Sequence, residues 1–183
     1  MADVPVVHHW LAGEDMNAER MNEIKAQIDF LRNPPMVHVA RFTTIQTLTG
    51  GTWNAISFDL VINSYDPYDM FDSGQPTKVF SQVPGWYTVE GQFSLNQTNT
   101  DGRLILGIYK NGFTDDELQI RSDIQNFPSS CTGCTNLSKE GLLFLNVGDY
   151  VHLGIWFDQD ATRDTKNATL SETCRLRLRW VSN

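Results

Sequence analysis

The chain has 183 residues and a formal charge of −8, with 14 lysines and arginines against 22 aspartates and glutamates. That length suits one ordinary domain with a small appendage, and it buries a core without needing disulfides or metal. A hydrophobic fraction of 40% excludes a wholly disordered chain, and net acidity argues against binding nucleic acid or an anionic membrane, whose phosphates demand a basic face.

The opening stretch, MADVPVVHHWLAGED, has neither a basic leader nor a sustained apolar run, so it reads as an arm and not a secretory signal. No later run approaches the roughly 18 apolar residues of a membrane span. His8 and His9 read as solvent or docking contacts. Trp10 and Leu11, apolar in an otherwise polar arm, are the natural docking residues.

A helix is expected from about Asn17 to Arg32, capped by Asp15 or Asn17 and ended by Pro34-Pro35. Its apolar residues Met21, Ile24, Ile28 and Leu31 are spaced three, four and three. This is a narrow heptad seam, and isoleucine at the d-type position Ile24 favours three or four strands over two. Two heptads are too short to hold alone in water, so the seam needs a downstream partner to keep its copies together. The expected division is therefore 1–35, an arm and trimerising helix, and 36–183, a head.

Everything after the prolines reads as strand and turn. Ile56, Phe58, Leu60 and Ile62 alternate with polar residues, as do Tyr87, Val89, Phe93 and Leu95. Leu104–Lys110 runs into Asn111-Gly112, a tight-turn signal. Val151, Leu153, Ile155 and Phe157 follow Gly148-Asp149, and Cys174, Leu176, Leu178 and Trp180 oppose Arg175, Arg177 and Arg179. Shorter strands are expected near Val37–Gln46, Thr77–Val83, Leu118–Ile124 and Leu142–Val147. Eight to ten strands without crossover helices predict a mainly β fold, an antiparallel jelly-roll sandwich preceded by one short helix.

The ordered set Phe58, Asn63, Tyr65, Phe80, Pro84, Gly85, Tyr87, Asn111, Gly112, Gly148, Asp149 and Val151 resembles the jelly roll of the complement-1q-like and tumour-necrosis-factor-like family, over roughly residues 37 to 183. Physically, Pro84-Gly85 sets a turn before a core strand, Tyr87 is a buried ring with a polar tip, and Gly148-Asp149 closes a hairpin. The resemblance implies a ten-stranded head assembling as a homotrimer. The head departs from the family's simplest members in a longer insertion, Thr114–Asn136.

The opening, with Trp10, Gly13, Glu14, Asn17, Ala18, Met21 and Asn22, then Phe30, Leu31, Asn33, Pro34 and Pro35, resembles the start of many tailed-phage virion proteins. Those are minor tail or fibre proteins, whose heads often carry a turn like Tyr65-Asp66…Met70. That likeness implies a structural protein of the virion, assembled in the host cytoplasm. Its N-terminal arm would dock on another virion protein, and its head would be available to a host-surface glycan or protein. A trimeric capsid decoration protein is the alternative, and a soluble lectin-like module the more distant one.

No enzyme activity, cofactor or metal is expected. The four histidines sit in no catalytic spacing, and His152, opposite the apolar set of its strand, reads as a surface residue. Cys131 and Cys134 form a CTGC pair without the further ligands of a zinc site, so they read as loop thiols, reduced or locally bridged. The carboxylate groups around Asp66–Asp72, Asp115–Glu117 and Asp158–Asp164 read as solvated loop tips. The arginine ladder is expected to pair with carboxylates on its own sheet or at a subunit boundary. Trp53, Trp86 and Trp156 weigh between packing and sugar stacking, with Trp86 expected to fill space beside Pro84-Gly85.

Overall fold

The computed structural model describes residues 17–97, 102–124, 133–158, 162–165 and 173–182. Helix α1 spans Ala18–Arg32, and Asn17 is its cap, the side chain accepting from the Arg20 N–H at 3.0 Å. Asn33 N–H closes the last turn on Asp29, and the two prolines then turn the chain into β1, Met36–Arg41.

The described strands form two antiparallel sheets packed face to face. The larger runs β2 (Thr47–Thr49), β11 (Thr162–Thr165), β6 (Gly85–Gln97), β12 (Cys174–Ser182), β1 and β4 (Leu60–Val61). In the same sheet β9 (Gly133–Leu145) pairs along the length of β6. The smaller sheet runs β3 (Asn54–Ala55), β10 (Tyr150–Phe157), β7 (Leu104–Lys110) and β8 (Leu118–Ile124), with β5 (Val79–Phe80) beside β10. Between them lies one core that includes Val37, Val39, Val89, Phe93, Leu106, Ile108, Leu153, Ile155, Leu176 and Leu178. Gly91 lets the sheets approach: a Cβ there would meet Leu153 Cδ1 at 2.7 Å.

Several elements differ from expectation. Ile56–Ile62 is not one strand, because the chain changes sheets within it. Ile56 N–H bonds Leu153 of the smaller sheet at 2.9 Å, whereas Asp59 N–H bonds Ala40 of the larger at 2.9 Å. Ile56 and Phe58 stay buried because they cross the gap between the layers. β1 stops at Arg41, well short of Gln46, because the Asp59 carboxylate takes the next three amides, Phe42, Thr43 and Thr44, at 2.7, 3.1 and 2.8 Å. The stretch 114–136 is no simple insertion: it holds a short 3₁₀ turn, Asp115–Glu117, and β8, which pairs with β7.

Gly148-Asp149 does not close a hairpin. It joins β9 of one sheet to β10 of the other, with Gly148 N–H on Ser81 at 2.8 Å. Strand directions also define two poles. Helix α1, the start of β6 and the end of β12 share one pole. The ends of β6, β8 and β10 and the starts of β7, β9 and β12 share the other.

Candidate functional site: the outer face of the larger sheet

Helix α1 meets the head through Phe30, which is buried edge-on against Trp180 (centroids 4.9 Å) and Tyr68 (6.3 Å). Tyr68 Oη–H donates to the Asn33 carbonyl at 3.2 Å, and Trp180 N–H to that of Pro35 at 2.8 Å. At about 100° per residue, Phe30 lies about 140° around the helix from the middle of the Met21/Ile24/Ile28/Leu31 seam. Met21 and Ile28 therefore point away from the Phe30 contacts, whereas Leu31 borders the head. Met21 is 53% exposed and Leu31 70%, while Ile24 is half-buried. Heptad spacing located the seam but gave no sign of Phe30, which belongs to the opposite face.

Beyond Leu31 the exposed apolar surface continues over the larger sheet. A groove of about 420 Å³ is lined by Leu31, Pro34, Thr88, Arg179, Trp180 and Val181. Trp86, Phe144 and Leu142 lie on the same face; Trp86 is 40% exposed and meets Phe144 edge-on at 5.5 Å. The space beside Pro84-Gly85 is filled not by Trp86 but by Trp180, whose indole N–H donates to the Pro84 carbonyl at 3.2 Å. Gly85, at φ 146°, has no room for a Cβ against that indole.

Below this apolar band lie charges. Arg175, Arg177 and Arg179 of β12 stand in register with Gln92, Glu90 and Thr88 of β6, and Glu140 of β9 faces Glu90 directly. Arg177 reaches Glu90 at 3.8 Å, and Arg175 binds the Gln92 side chain. His38 of β1 stands opposite Arg177. Burial, then the Arg175 and Arg177 charges, lower its pKa to about 4 against an opposing pull from Glu90.

The residues of the family pattern form a structural frame at the helix pole. Asn111, at φ 60°, donates from Nδ2 to Asp149 Oδ1 at 2.7 Å and accepts the Tyr150 N–H at 3.0 Å. Asp149 also takes Asn146 N–H at 2.8 Å and lies 3.0 Å from Lys110 Nζ. Burial raises its pKa, but these bonds outweigh it and leave the carboxyl below its usual range. The Lys-Asn-Gly and Gly-Asp turns are thus one interlocked unit.

Tyr87 is fully buried, its hydroxyl donating to Val83 at 2.7 Å. Phe80 stacks edge-on with Tyr150. Asp66 accepts Met70 and Phe71 N–H, each at 2.8 Å, seating Met70 in the core. Asn63, at φ 59°, makes the preceding bend, Tyr65 lies at the surface, and Phe58 belongs to the core.

His152 is not a surface residue. Trp53 and Phe113 cover the outer face of the smaller sheet, stacking on Tyr109 at 5.4 and 4.6 Å, and Phe113 reaches His152 at 5.6 Å. The His152 Nδ1–H donates to Thr77 O at 2.8 Å. Burial pushes its pKa down, against that bond and with the Lys78 charge. Trp53 is therefore a packing residue, and Trp156 is half-buried.

Among the described residues, no group of three or more His, Cys, Asp or Glu side chains is placed to hold a metal, and no helix is long and apolar enough to cross a membrane. Cys174 is buried and unbridged, its thiol pushed up to about 12 by burial. Trp10, Leu11 and Cys131 lie outside the described residues; the backbone at Cys134 belongs to β9.

No family model and no curated protein matches the chain. Solved structures do. An Eiger tumour necrosis factor from S. frugiperda superposes with a TM-score of 0.58 at 12% identity, covering 81% of this chain and 93% of that one. Murine APRIL gives 0.56 at 12% identity, covering 79% and 97%. The globular domain of zebrafish complement 1qA gives 0.53 at 18% identity, covering 81% and 99%. The chain thus has the jelly-roll fold of the tumour-necrosis-factor and complement-1q-like domains, and identities this low establish that fold alone.

Proposed function

We propose that this chain is a structural protein of a tailed-phage virion, a homotrimeric minor tail or fibre appendage. Its arm docks through Trp10 and Leu11 on another virion protein, and its head is presented to a host-surface glycan or protein. The observation that carries the reading is the pinned helix. Phe30 fixes α1 to one pole of the head while Met21, Ile28 and Leu31 of the seam stay exposed and Ile24 is half-buried. An exposed apolar heptad seam on an acidic chain is a cost unless copies cover it, and heads sharing that pole keep such short helices at high local concentration.

Two further points support it. The opening residues resemble those of phage virion proteins. The helix also leaves from one pole, so an appendage held by its N-terminal arm turns the opposite pole outward. The fold, shared with a tumour necrosis factor and a complement globular domain, supports a binding module over an enzyme. The test has two parts. Light scattering at micromolar concentration should return three times the chain mass, and a monomeric mass would sink the trimer. Immunogold labelling of intact particles should place the chain on the tail, and deletion of residues 1–16 should abolish incorporation while the head stays folded. Label on the capsid shell would turn the reading to a decoration trimer.

A further inference from the structure

The chain contains one asparagine followed by glycine, Asn111-Gly112, at the turn that leaves β7. Such a pair is chemically labile, because the glycine nitrogen meets no side chain in reaching the asparagine side-chain carbonyl carbon. The fold nevertheless calls for both residues. Asn111 sits at φ 60°, a conformation asparagine tolerates better than most residues. A Cβ on Gly112 would collide with the Glu117 carboxylate, which Thr114 holds in place through its N–H at 2.8 Å and its hydroxyl at 2.9 Å.

Residue 111 is instead held by every polar atom it has. Its N–H donates to Tyr150 O at 3.0 Å, and its carbonyl accepts from the Tyr150 hydroxyl at 2.9 Å. In the side chain, Oδ1 accepts the Tyr150 N–H at 3.0 Å and Nδ2 donates to Asp149 Oδ1 at 2.7 Å. The side-chain amide is thus tied to Asp149-Tyr150 and cannot turn onto the Gly112 nitrogen while those bonds last. Asn111 is exposed, so water is at hand once they open.

We infer that Asn111 is a modification site, a deamidation point whose rate is set by the Asp149-Tyr150 clamp. In the open turn the Gly112 nitrogen bonds to Asn111 Cγ and gives up its proton to solvent, while Nδ2 leaves as ammonia, so that a succinimide ring forms. Water then adds to either ring carbonyl and opens the ring, leaving an aspartyl or an isoaspartyl residue at position 111. A carboxylate there has no donor for Asp149, and it sets like charges against each other where a 2.7 Å bond stood. Lys110, 3.0 Å from Asp149, offsets part of that repulsion. The isoaspartyl form also adds a methylene to the main chain of a turn bonded to Tyr150 through both its N–H and its carbonyl. Each opening that ends in reaction therefore leaves a turn that closes less well. The site depends on neither the virion reading nor the assembly of the chain.

Incubation of the full chain at mildly alkaline pH, followed by peptide mass spectrometry that resolves isoaspartate, tests this. In guanidinium chloride Asn111 should convert before any other asparagine. In the folded chain it should convert at least about tenfold more slowly, since reaction waits on local opening of the turn. Asp149→Ala, which frees Nδ2, should raise the folded-state rate severalfold with circular dichroism unchanged. Where that variant fails to fold, Tyr150→Phe, which frees the Asn111 carbonyl, is read in its place and should also quicken the reaction. Asn111→Asp should lower the melting temperature, and Asn111→Asp/Asp149→Asn, which again sets one amide against one carboxylate, should regain most of the loss. Equal rates in folded and unfolded chains, or another asparagine reacting ahead of Asn111 in denaturant, would overturn the site. A folded clamp variant as slow as wild type would overturn the role of the clamp.

Discussion

His38 stands on the outer face of β1 opposite Arg177, so a proton on its ring would join two nearby guanidinium groups in a half-buried place. The folded pKa of about 4 lies below the ordinary 6.5. Between those values the unfolded chain takes up a proton that the folded protein refuses. Stability from this source is complete above pH 6.5 and drains away as pH falls toward 4, and His152, also lowered, adds to the same slope. Urea midpoints measured from pH 7 to 4 should fall steadily, and His38→Gln should flatten part of that fall. An unchanged slope in the variant would show that His38 does not carry it. His152 also shows where reading residues from sequence runs out. Alternation assigns it correctly to the face away from the core, but alternation is blind to whether loops cover that face. Trp53 and Phe113 do, from outside the strand. Where the relevant contacts were local, as for the ring and polar tip of Tyr87, the sequence was sufficient.

At the scale of elements, α1 has two unlike faces. Helix and cap were legible because both are periodic or local signals, whereas Phe30 acts through Trp180 and Tyr68, residues distant in sequence. A helix of 15 residues is marginal in water without such support. Phe30→Ala should therefore release it. In dilute protein, ellipticity at 222 nm should drop and amides of residues 18–32 should exchange faster, while the head still melts in one transition within a few degrees of the wild type. Retained helicity would mean that other contacts hold α1. The segment Ile56–Ile62 gives the complementary lesson. Its side chains alternate like a strand's, but its backbone bonds are divided between two sheets. Periodicity reports burial, and ladder membership has to be settled by partners elsewhere in the chain.

For the whole molecule, the sandwich was legible because strand count and the lack of crossover helices leave few architectures. The order of strands was not, since β1 lies beside β12 and β6 beside β9, pairings decided by contacts across most of the chain. The buried cluster between the sheets takes none of its members from α1. A chain beginning at Met36 should accordingly unfold in one cooperative calorimetric transition. Its midpoint should be lowered by only a few degrees, for the loss of the Phe30 cover on Trp180, since about 1 kcal/mol shifts a domain of this size by roughly 2–4 °C. Non-cooperative melting would make the helix part of the core.

The two poles also give the molecule a front and a back for protein engineering. Cargo fused beyond β12 would emerge beside α1, on the side turned toward any anchor. A peptide spliced between β8 and β9 would emerge at the far end. The same head could thus carry one payload at the helix pole and display another at the opposite pole.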